Sequence, residues 1–492
     1  MSNENHCISR RNFLIHSSAA VASSALISPS ALAQQQANKA SKPNIIFIIV
    51  DDMGWADLGC YGQTAYQTPN LDRLAAEGIR FEQAYSGCTV CAPARSTLMM
   101  GTHMGHTSVR GNTGGIPLRS SDRTIASTLK EQGYACGGFG KWGLGDLDTE
   151  GTPEKHGFDE FFGYYHQIHA HYFYPDYLID TGKKHPLPGN QHFYQRHGDE
   201  RGGMPDGAEG DQYQFSHYLI FERMQQFIRN HQDEPFFCYA PWTPPHARYE
   251  MPANDPAWQA VKDNDWPVDA KVHAAFNMMV DRHVGEVMAL LEELQIDQNT
   301  IVFFCSDNGA SKRFEGVLDS SGPLTGRKRS MHEGGIRVPL IARWPGTIAA
   351  GQVSQLPTYF PDVYPTLAHL ADPHFQAPDS IDGLSIVPTL MGRSEEQPTH
   401  DYLYWEWPTY NWREREYTGL MQAVRHGEWK MLRHNNSDPW QLYHLPSDQA
   451  ETNSLADQHP DRVQALSEWV NANREEMRPQ IEPKKPEGKR YR

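Results

Sequence analysis

The chain has 492 residues, more than one compact core accommodates, so a large domain with a smaller companion is the expected organisation. Its formal net charge of −16 excludes an unspecific nucleic-acid binder and gives an anionic ligand no help from the overall field, so any anion site has to be made basic locally. The seven cysteines (Cys7, Cys60, Cys88, Cys91, Cys136, Cys238 and Cys305) are too few and too scattered for a disulfide scaffold.

The chain opens with a twin-arginine pattern, Ser9-Arg10-Arg11-Asn12-Phe13-Leu14. A short apolar stretch from Phe13 to Leu26 follows, and then a small-residue cleavage site at Ala31-Leu32-Ala33. Residues 1–33 are therefore expected to be a signal peptide read by the Tat export machinery, with 34–43 as a linker and a periplasmic or secreted product. The apolar stretch is too short and too polar to span a bilayer, no cysteine follows it for lipid attachment, and no later run has transmembrane length, so stable membrane association is not expected.

Asn44 to Val50 is a continuous β-branched and aromatic run without alternation, which predicts a strand covered on both faces. It ends at once in Asp51-Asp52. Thr68-Pro69 starts a helix with Leu71, Leu74 and Ala75 on one face and Gly78 as its stop. Cys88-Thr89-Val90-Cys91 has the spacing of a redox pair or half a zinc site, but no second pair supports zinc. On its own, Cys91-Ala92-Pro93-Ala94-Arg95 reads as a buried cysteine, a turn-setting proline and a surface arginine. A further helix is expected from Thr124 to Gln132, before Gly133. Tyr164 to Pro175 is dense in histidine and aromatic residues, suited to stacking on sugar faces; His169 and His171 are the candidate substrate contacts, with His106, Arg110 and Asn112 flanking the same pocket. An aromatic core patch is the plainer alternative. Gly182 to Asp211 reads as one long mobile loop.

Phe236 to Ala240 is a second strand, followed by Trp242-Thr243-Pro244-Pro245-His246. A helix over roughly 274–294 carries Phe276, Val280, Val284, Val287 and Leu291 in one stripe. Thr300 to Cys305 is a third strand, ending in Ser306-Asp307-Asn308-Gly309. Arg393 to His400 reads as a linker, with short strands at 402–405, 421–425, 429–432 and 441–444 and a last helix from about Asp461 to Met477. These elements divide the chain into a catalytic domain at 44–392, a small antiparallel-sheet subdomain at 393–478 and a disordered tail at 479–492.

Strands alternating with helices predict an α/β fold: a large, mostly parallel mixed sheet between helices, with the smaller antiparallel sheet and helix after it. In such sheets ligands gather beyond the carboxyl ends of the strands, which brings Asp51, Asp52, Asp307, Asn308 and His246 to one edge. Three carboxylates together call for a cation, and an all-oxygen donor set suits Ca²⁺, or less well Mg²⁺, rather than zinc. Taken singly, each motif is an ordinary turn or helix cap.

Taken together, and in this order, these motifs resemble the sulfatase family within the alkaline-phosphatase-like superfamily. Thr68 to Ala75, Cys91 to Gly101, Gly140-Lys141-Trp142-Gly143-Leu144-Gly145, Phe303 to Gly309 and Gly322 to Pro339 all match family segments, so the likeness covers nearly the whole mature chain. The resemblance implies that Cys91 is oxidised to formylglycine (3-oxoalanine) by the formylglycine-generating enzyme. One hydroxyl of the hydrated aldehyde would attack sulfur, and the other would let the sulfated group collapse and leave. It implies a divalent cation on Asp51, Asp52, Asp307, Asn308 and an oxygen at position 91. Arg95 would hold the hydrated aldehyde, Lys141 and Lys328 would grip sulfate oxygens, and His246 would protonate the leaving oxygen. For Lys328, inside Arg327-Lys328-Arg329, a solvated surface charge is the alternative.

One position departs from the family. Many relatives carry histidine where this chain has Gly143, although a subset shows the same Lys-Trp-Gly-Leu-Gly; His106 and His332 are the candidates to substitute for it. The expected substrate is a sulfated carbohydrate of the galactose type. A phosphodiester or phosphonate ester hydrolase on the same scaffold is the first rival reading, and a non-catalytic polysaccharide-binding protein the second.

Overall fold

The computed structural model describes residues 42–478 apart from 115, 206–212, 247, 412, 413 and 415. The segments expected as signal peptide (1–33) and tail (479–492), and nearly all of the 34–43 linker, lie outside the described residues.

The large sheet has ten strands: β1 (Asn44–Val50), β2 (Ile79–Phe81), β3 (Ala135–Lys141), β4 (Glu160–Tyr164), β5 (Tyr177–Asp180), β6 (Lys183–Pro186), β7 (Phe236–Trp242), β8 (Thr300–Ser306), β9 (Leu340–Arg343) and β10 (Gln352–Ser354). Their order is β10-β2-β9-β8-β1-β7-β3-β4-β5-β6. The five central strands, β8-β1-β7-β3-β4, run parallel, and antiparallel pairs flank them on both sides.

Every residue of β1 is buried, as its unbroken apolar run predicts. The strand's period of two sends Ile45, Phe47 and Ile49 into one core with Phe237, Tyr239, Phe303 and Cys305. Ile46, Ile48 and Val50 go into a second core with Cys238, Ala240, Val302 and Phe304. The helix α4 (Val268–Glu293) closes that second face with Val280, Val284, Val287 and Leu291. Burying each such aliphatic side chain contributes roughly 1.5–3 kcal/mol, which makes the centre of the sheet a rigid platform. The helix starts at Val268, earlier than its apolar stripe suggests, because Pro267 stands at its N-cap and Val272, Ala275, Phe276 and Met279 in its first half lie in a third cluster. Among the helices that precede it in the chain are α1 (Pro69–Ala76), α2 (Cys91–Met100) and α3 (Ser216–Asn230). Among the described residues no helix is long and apolar enough to cross a membrane.

The stretch from 182 to 205 is not the bare loop expected of it. It contains β6, a helical turn at Phe193–His197 and a short strand, Gly202–Met204, paired with Glu250–Pro252. Phe193 and Met204 anchor it in the third cluster with Phe173, Tyr174 and Phe276, which glycine-rich composition alone conceals.

Four antiparallel strands, β11 (Leu403–Asn411), β12 (Glu416–His426), β13 (Trp429–Arg433) and β14 (Gln441–His444), form the second sheet. One face packs Leu403, Trp405, Ala423 and Leu432 against Tyr85, Met331, Ile336 and Tyr359. The other packs Tyr404, Val424, Met431 and Leu442 against Leu466 and Val470 of α5 (Pro460–Ala472). That helix stops at Ala472 rather than near Met477. Asn473 donates its side-chain amide to the Trp469 carbonyl, and the chain leaves to bond Gly105 through the Glu475 N–H.

Candidate active site

Parallel register assembles the site. Val50 of β1 lies opposite Ser306 of β8 and Trp242 of β7, so Asp51-Asp52, Asp307-Asn308 and the turn to His246 leave the sheet side by side. Lys141 ends β3, whose Gly138 pairs with Tyr239 of β7, and reaches the same edge. Asp52 takes φ 70°, a conformation rare outside glycine, and its N–H donates to Asp307 Oδ1 at 3.2 Å. Strain of this kind is sustained only where neighbours over-determine it.

Cys91 is the first residue of α2, after an extended Val90. Pro93 is tolerated there because first-turn N–H groups have no helical partner. The Cys91 thiol donates to Asp51 Oδ1 at 3.2 Å and accepts from Lys328 Nζ at 3.1 Å. Lys141 Nζ donates to Asp51 Oδ2 and Lys328 Nζ to Asp52 Oδ1, both at 2.5 Å. Asn308 Nδ2 donates to the same Asp52 oxygen at 2.7 Å. Arg95 donates Nε and Nη2 to Asp307 Oδ2 at 3.0 and 2.8 Å and Nη1 to the Lys141 carbonyl at 2.7 Å. His246 Nε2 stands 3.5 Å from Asp52 Oδ2, and His171 stacks on the His246 ring at 4.1 Å. Cys91, Asp51, Asp307, Asn308, Arg95 and Lys141 are fully buried, whereas His246 and Lys328 each keep 8% exposure, so the mouth lies on their side.

The electrostatics follow from burying so many charges together. Burial opposes ionisation of Asp51, but Lys141, His246, Arg95 and Lys328 hold it well below the usual carboxylate range. Burial and then the repulsion of Asp51 push Asp307 up to about 7 despite Arg95. Burial and Asp51 likewise raise the Cys91 thiol to about 12, so the coded side chain is no thiolate at neutral pH. Burial lowers His246 to about 4 and lowers His171 strongly.

Two buried oxygens of this cluster, Asp52 Oδ2 and Asn308 Oδ1, make no hydrogen bond. Orphaned oxygen donors beside a carboxylate held partly protonated by its neighbours fit a hard divalent cation. Among the described residues, Asp51, Asp52, Cys91 and His246 bring four candidate ligand atoms within 4.8 Å of one another.

The profile of the family described as Sulfatase matches residues 43–373, two thirds of the chain. The chain belongs to the sulfatase family. As such it is a hydrolase of sulfate esters. A second family, described as N-sulphoglucosamine sulphohydrolase, C-terminal, matches residues 326–478 of this sulfatase. It is 32% identical to N-acetylgalactosamine-6-sulfatase of Homo sapiens over 377 residues, covering 73% of this chain and 68% of that protein. It is 27% identical to N-acetylgalactosamine-6-O-sulfatase of Bacteroides thetaiotaomicron, covering 88% and 93% of the two chains. The crystal structure of Ps i-CgsB in complex with k-i-k-neocarrahexaose superposes with a TM-score of 0.72 at 27% identity, covering 88% and 94%.

The fold thus unites nine of the sequence-derived residues: Asp51, Asp52, Cys91, Arg95, Lys141, His246, Asp307, Asn308 and Lys328. His171 joins them through His246. Lys328 is no solvated charge, being almost wholly buried on Asp52. The Arg95 guanidinium donates to Asp307 and the Lys141 carbonyl and stands 3.6 Å from Asp51.

Three histidines are not where the sequence reading puts them. His106 lies beyond the far end of α2, roughly 15 Å along the helix from Cys91, and its Nδ1 pairs with Asp382 at 2.9 Å. His169 is packed between Tyr164 and Tyr177 in the core. His332 faces Glu451 in the seam with the second sheet, so neither His106 nor His332 replaces a side chain at Gly143. Arg110 is turned away onto Glu406, whereas Asn112 does reach the site and caps the Ala92 N–H at 3.1 Å. Cys88 and Cys91 are free thiols that point apart: Cys88 bonds the Glu406 carbonyl. Sequence reasoning missed Gln167, whose carboxamide lies beside Gly143 and Asn112; the left-handed Gly143 was its one trace.

Proposed function

We propose that this sulfatase is exported by the Tat route and removes sulfate from a carbohydrate, using formylglycine made from Cys91 and a calcium ion. The observation that carries this reading is the Cys91 side chain, buried at a helix start and held between Asp51 and Lys328. The hydrated aldehyde would supply an oxygen nucleophile that the coded thiol, raised to about 12, does not match, and a bound cation would supply Lewis-acid stabilisation of its charge. Asp51, Asp52, Asp307 and Asn308 would hold the ion, and their mixed carboxylate and amide donors suit calcium better than magnesium.

The chain's own residues do the remaining work. Lys141 and Lys328, here bonded to Asp51 and Asp52, would be free to reach sulfate oxygens with those carboxylates on an ion. Arg95 favours the ionised form of Asp307 against burial and the repulsion of Asp51, and so helps to keep a ligand for the ion. His246, at the mouth, would give the departing oxygen its proton once a bound sulfate's negative charge raises its proton affinity again. His171 has a buried Nε2 without a hydrogen bond beside it, an arrangement suited to a sugar hydroxyl. The names of the relatives, an amino-sugar sulfatase and a protein solved with a neocarrahexaose, support a galactose-type sulfated sugar.

Peptide mass analysis across Cys91 in active protein should find the aldehyde, and Cys91→Ala should abolish sulfate release from sulfated mono- and polysaccharides. Full release by that variant overturns the reading. Faster cleavage of aryl phosphates than of aryl sulfates would replace it with phosphorus chemistry. For export, a double Arg10→Lys, Arg11→Lys variant should stay in the cytoplasm.

A further inference from the structure

We infer that Gln167 is a positioning residue for the reacting group at position 91, an inference that rests on the formylglycine reading above. Gln167 is buried, with 2% of its surface exposed, and donates Nε2 to Asn112 Oδ1 at 3.0 Å. That Asn112 atom also accepts the Ala92 N–H, so it has to be the oxygen. The Gln167 atom facing it is therefore the nitrogen, and the amide orientation is fixed by the network rather than by choice. It follows that Oε1 is the end left over, and Oε1 is buried without a hydrogen-bonding partner.

The neighbours of Oε1 locate it. A Cβ placed on Gly143 would come within 2.7 Å of Gln167 Oε1 and 4.0 Å of Arg95 Cδ. Gly143 has φ +79°, a conformation that side chains adopt at a cost, so its backbone and the space above it both leave room for the carboxamide. The result is an uncharged acceptor beside Gly143, tethered through Asn112 to the residue next to Cys91.

An acceptor is what a hydrated aldehyde needs at this place. The Cys91 sulfur, standing where one oxygen of the hydrate would lie, touches Asp51 and Lys328. The second hydroxyl on the same carbon has a proton to donate, and leaving a buried donor or acceptor unmet costs about 1–3 kcal/mol. Gln167 Oε1 receives that hydrogen bond, favours the hydrate over the free aldehyde and turns the hydroxyls to one orientation. The amide takes no proton; it positions the group and is not a base.

The test uses modified, metal-loaded protein and two variants, with aldehyde content measured by peptide mass and folding by thermal melting. Gln167→Met keeps the length of the side chain without its acceptor. It should lower kcat on an aryl sulfate about a hundredfold with little change in KM. It should also react several-fold faster with methoxyamine, which captures free aldehyde but not hydrate. Gln167→Glu restores an acceptor; its protonated carboxyl can donate to Asn112 Oδ1 as the amide does, so it should recover much of both losses at acidic pH. Wild-type kcat and wild-type methoxyamine reactivity in Gln167→Met overturn the inference, as does a Gln167→Glu protein that at acidic pH is no better than Gln167→Met. A wild-type protein without aldehyde would instead defeat the formylglycine reading.

Discussion

Arg95 reaches one oxygen of Asp307 with two nitrogens, Nε at 3.0 Å and Nη2 at 2.8 Å, and neither side chain has any exposed surface. A pair buried this deeply is costly to break, because the survivor is left charged and out of water. Arg95→Met should destabilise the fold by about 3–5 kcal/mol, seen as a lower denaturant midpoint, as well as removing activity. A variant as stable as wild type that lacks only activity would return Arg95 to the reacting group.

Cation removal should be visible without substrate. Asp52 Oδ2 and Asn308 Oδ1 are unpaired and Asp307 is pushed up to about 7, so an ion relieves both penalties. Calcium at a hundredfold excess over its Kd should stabilise the chelated protein by about 2.7 kcal/mol, read as a raised melting temperature. Magnesium should do less. No shift with either ion counts against the proposed ligands.

The second sheet is fastened by a buried charge group. Lys430 Nζ on β13 lies 2.8 Å from both Glu333 and Glu451, and Arg337 and Arg425 stand close by. Burial works against the Glu333 charge, but Lys430, Arg337 and Arg425 hold it down to about 2, against 4.5 ordinarily. A depressed carboxylate contributes stability that is complete above about 4.5 and is lost as pH falls through about 2. Unfolding midpoints followed downward through that window should fall steeply for wild type and less so for Glu333→Gln.

Gly143→Ala should be worse than its size suggests. The left-handed backbone costs a side chain roughly 1–2 kcal/mol, and the new methyl group displaces Gln167. Melting temperature and kcat should fall together, while peptide mass analysis finds the aldehyde at wild-type level.

The strand ends were legible because unbroken apolar runs stop abruptly at Asp51 and Asp307, and a parallel sheet brings such ends to one edge. Both faces of β1 could be foretold from its lack of alternation, as could the helix starts from Thr68-Pro69 and Thr124. Nearness along the chain misled at His106, since ten helical residues carry the chain away from Cys91. At Arg95 the residue type was legible but not its partner, because competition among three buried acids is decided in space. Gln167 has no titrating group or motif of its own, and its importance arises only from what Asn112 and Gly143 leave it facing.

Cys91 has no accessible surface once its helix is seated behind strands that pair Asn44 with Thr300. Another enzyme's catalytic groups can approach that sulfur only while the polypeptide is still open. If Cys91 is oxidised as proposed, maturation and folding would be a race with a fixed order: a molecule that closes before it is oxidised would keep its cysteine, and a preparation should hold two permanent populations rather than one that ripens with time.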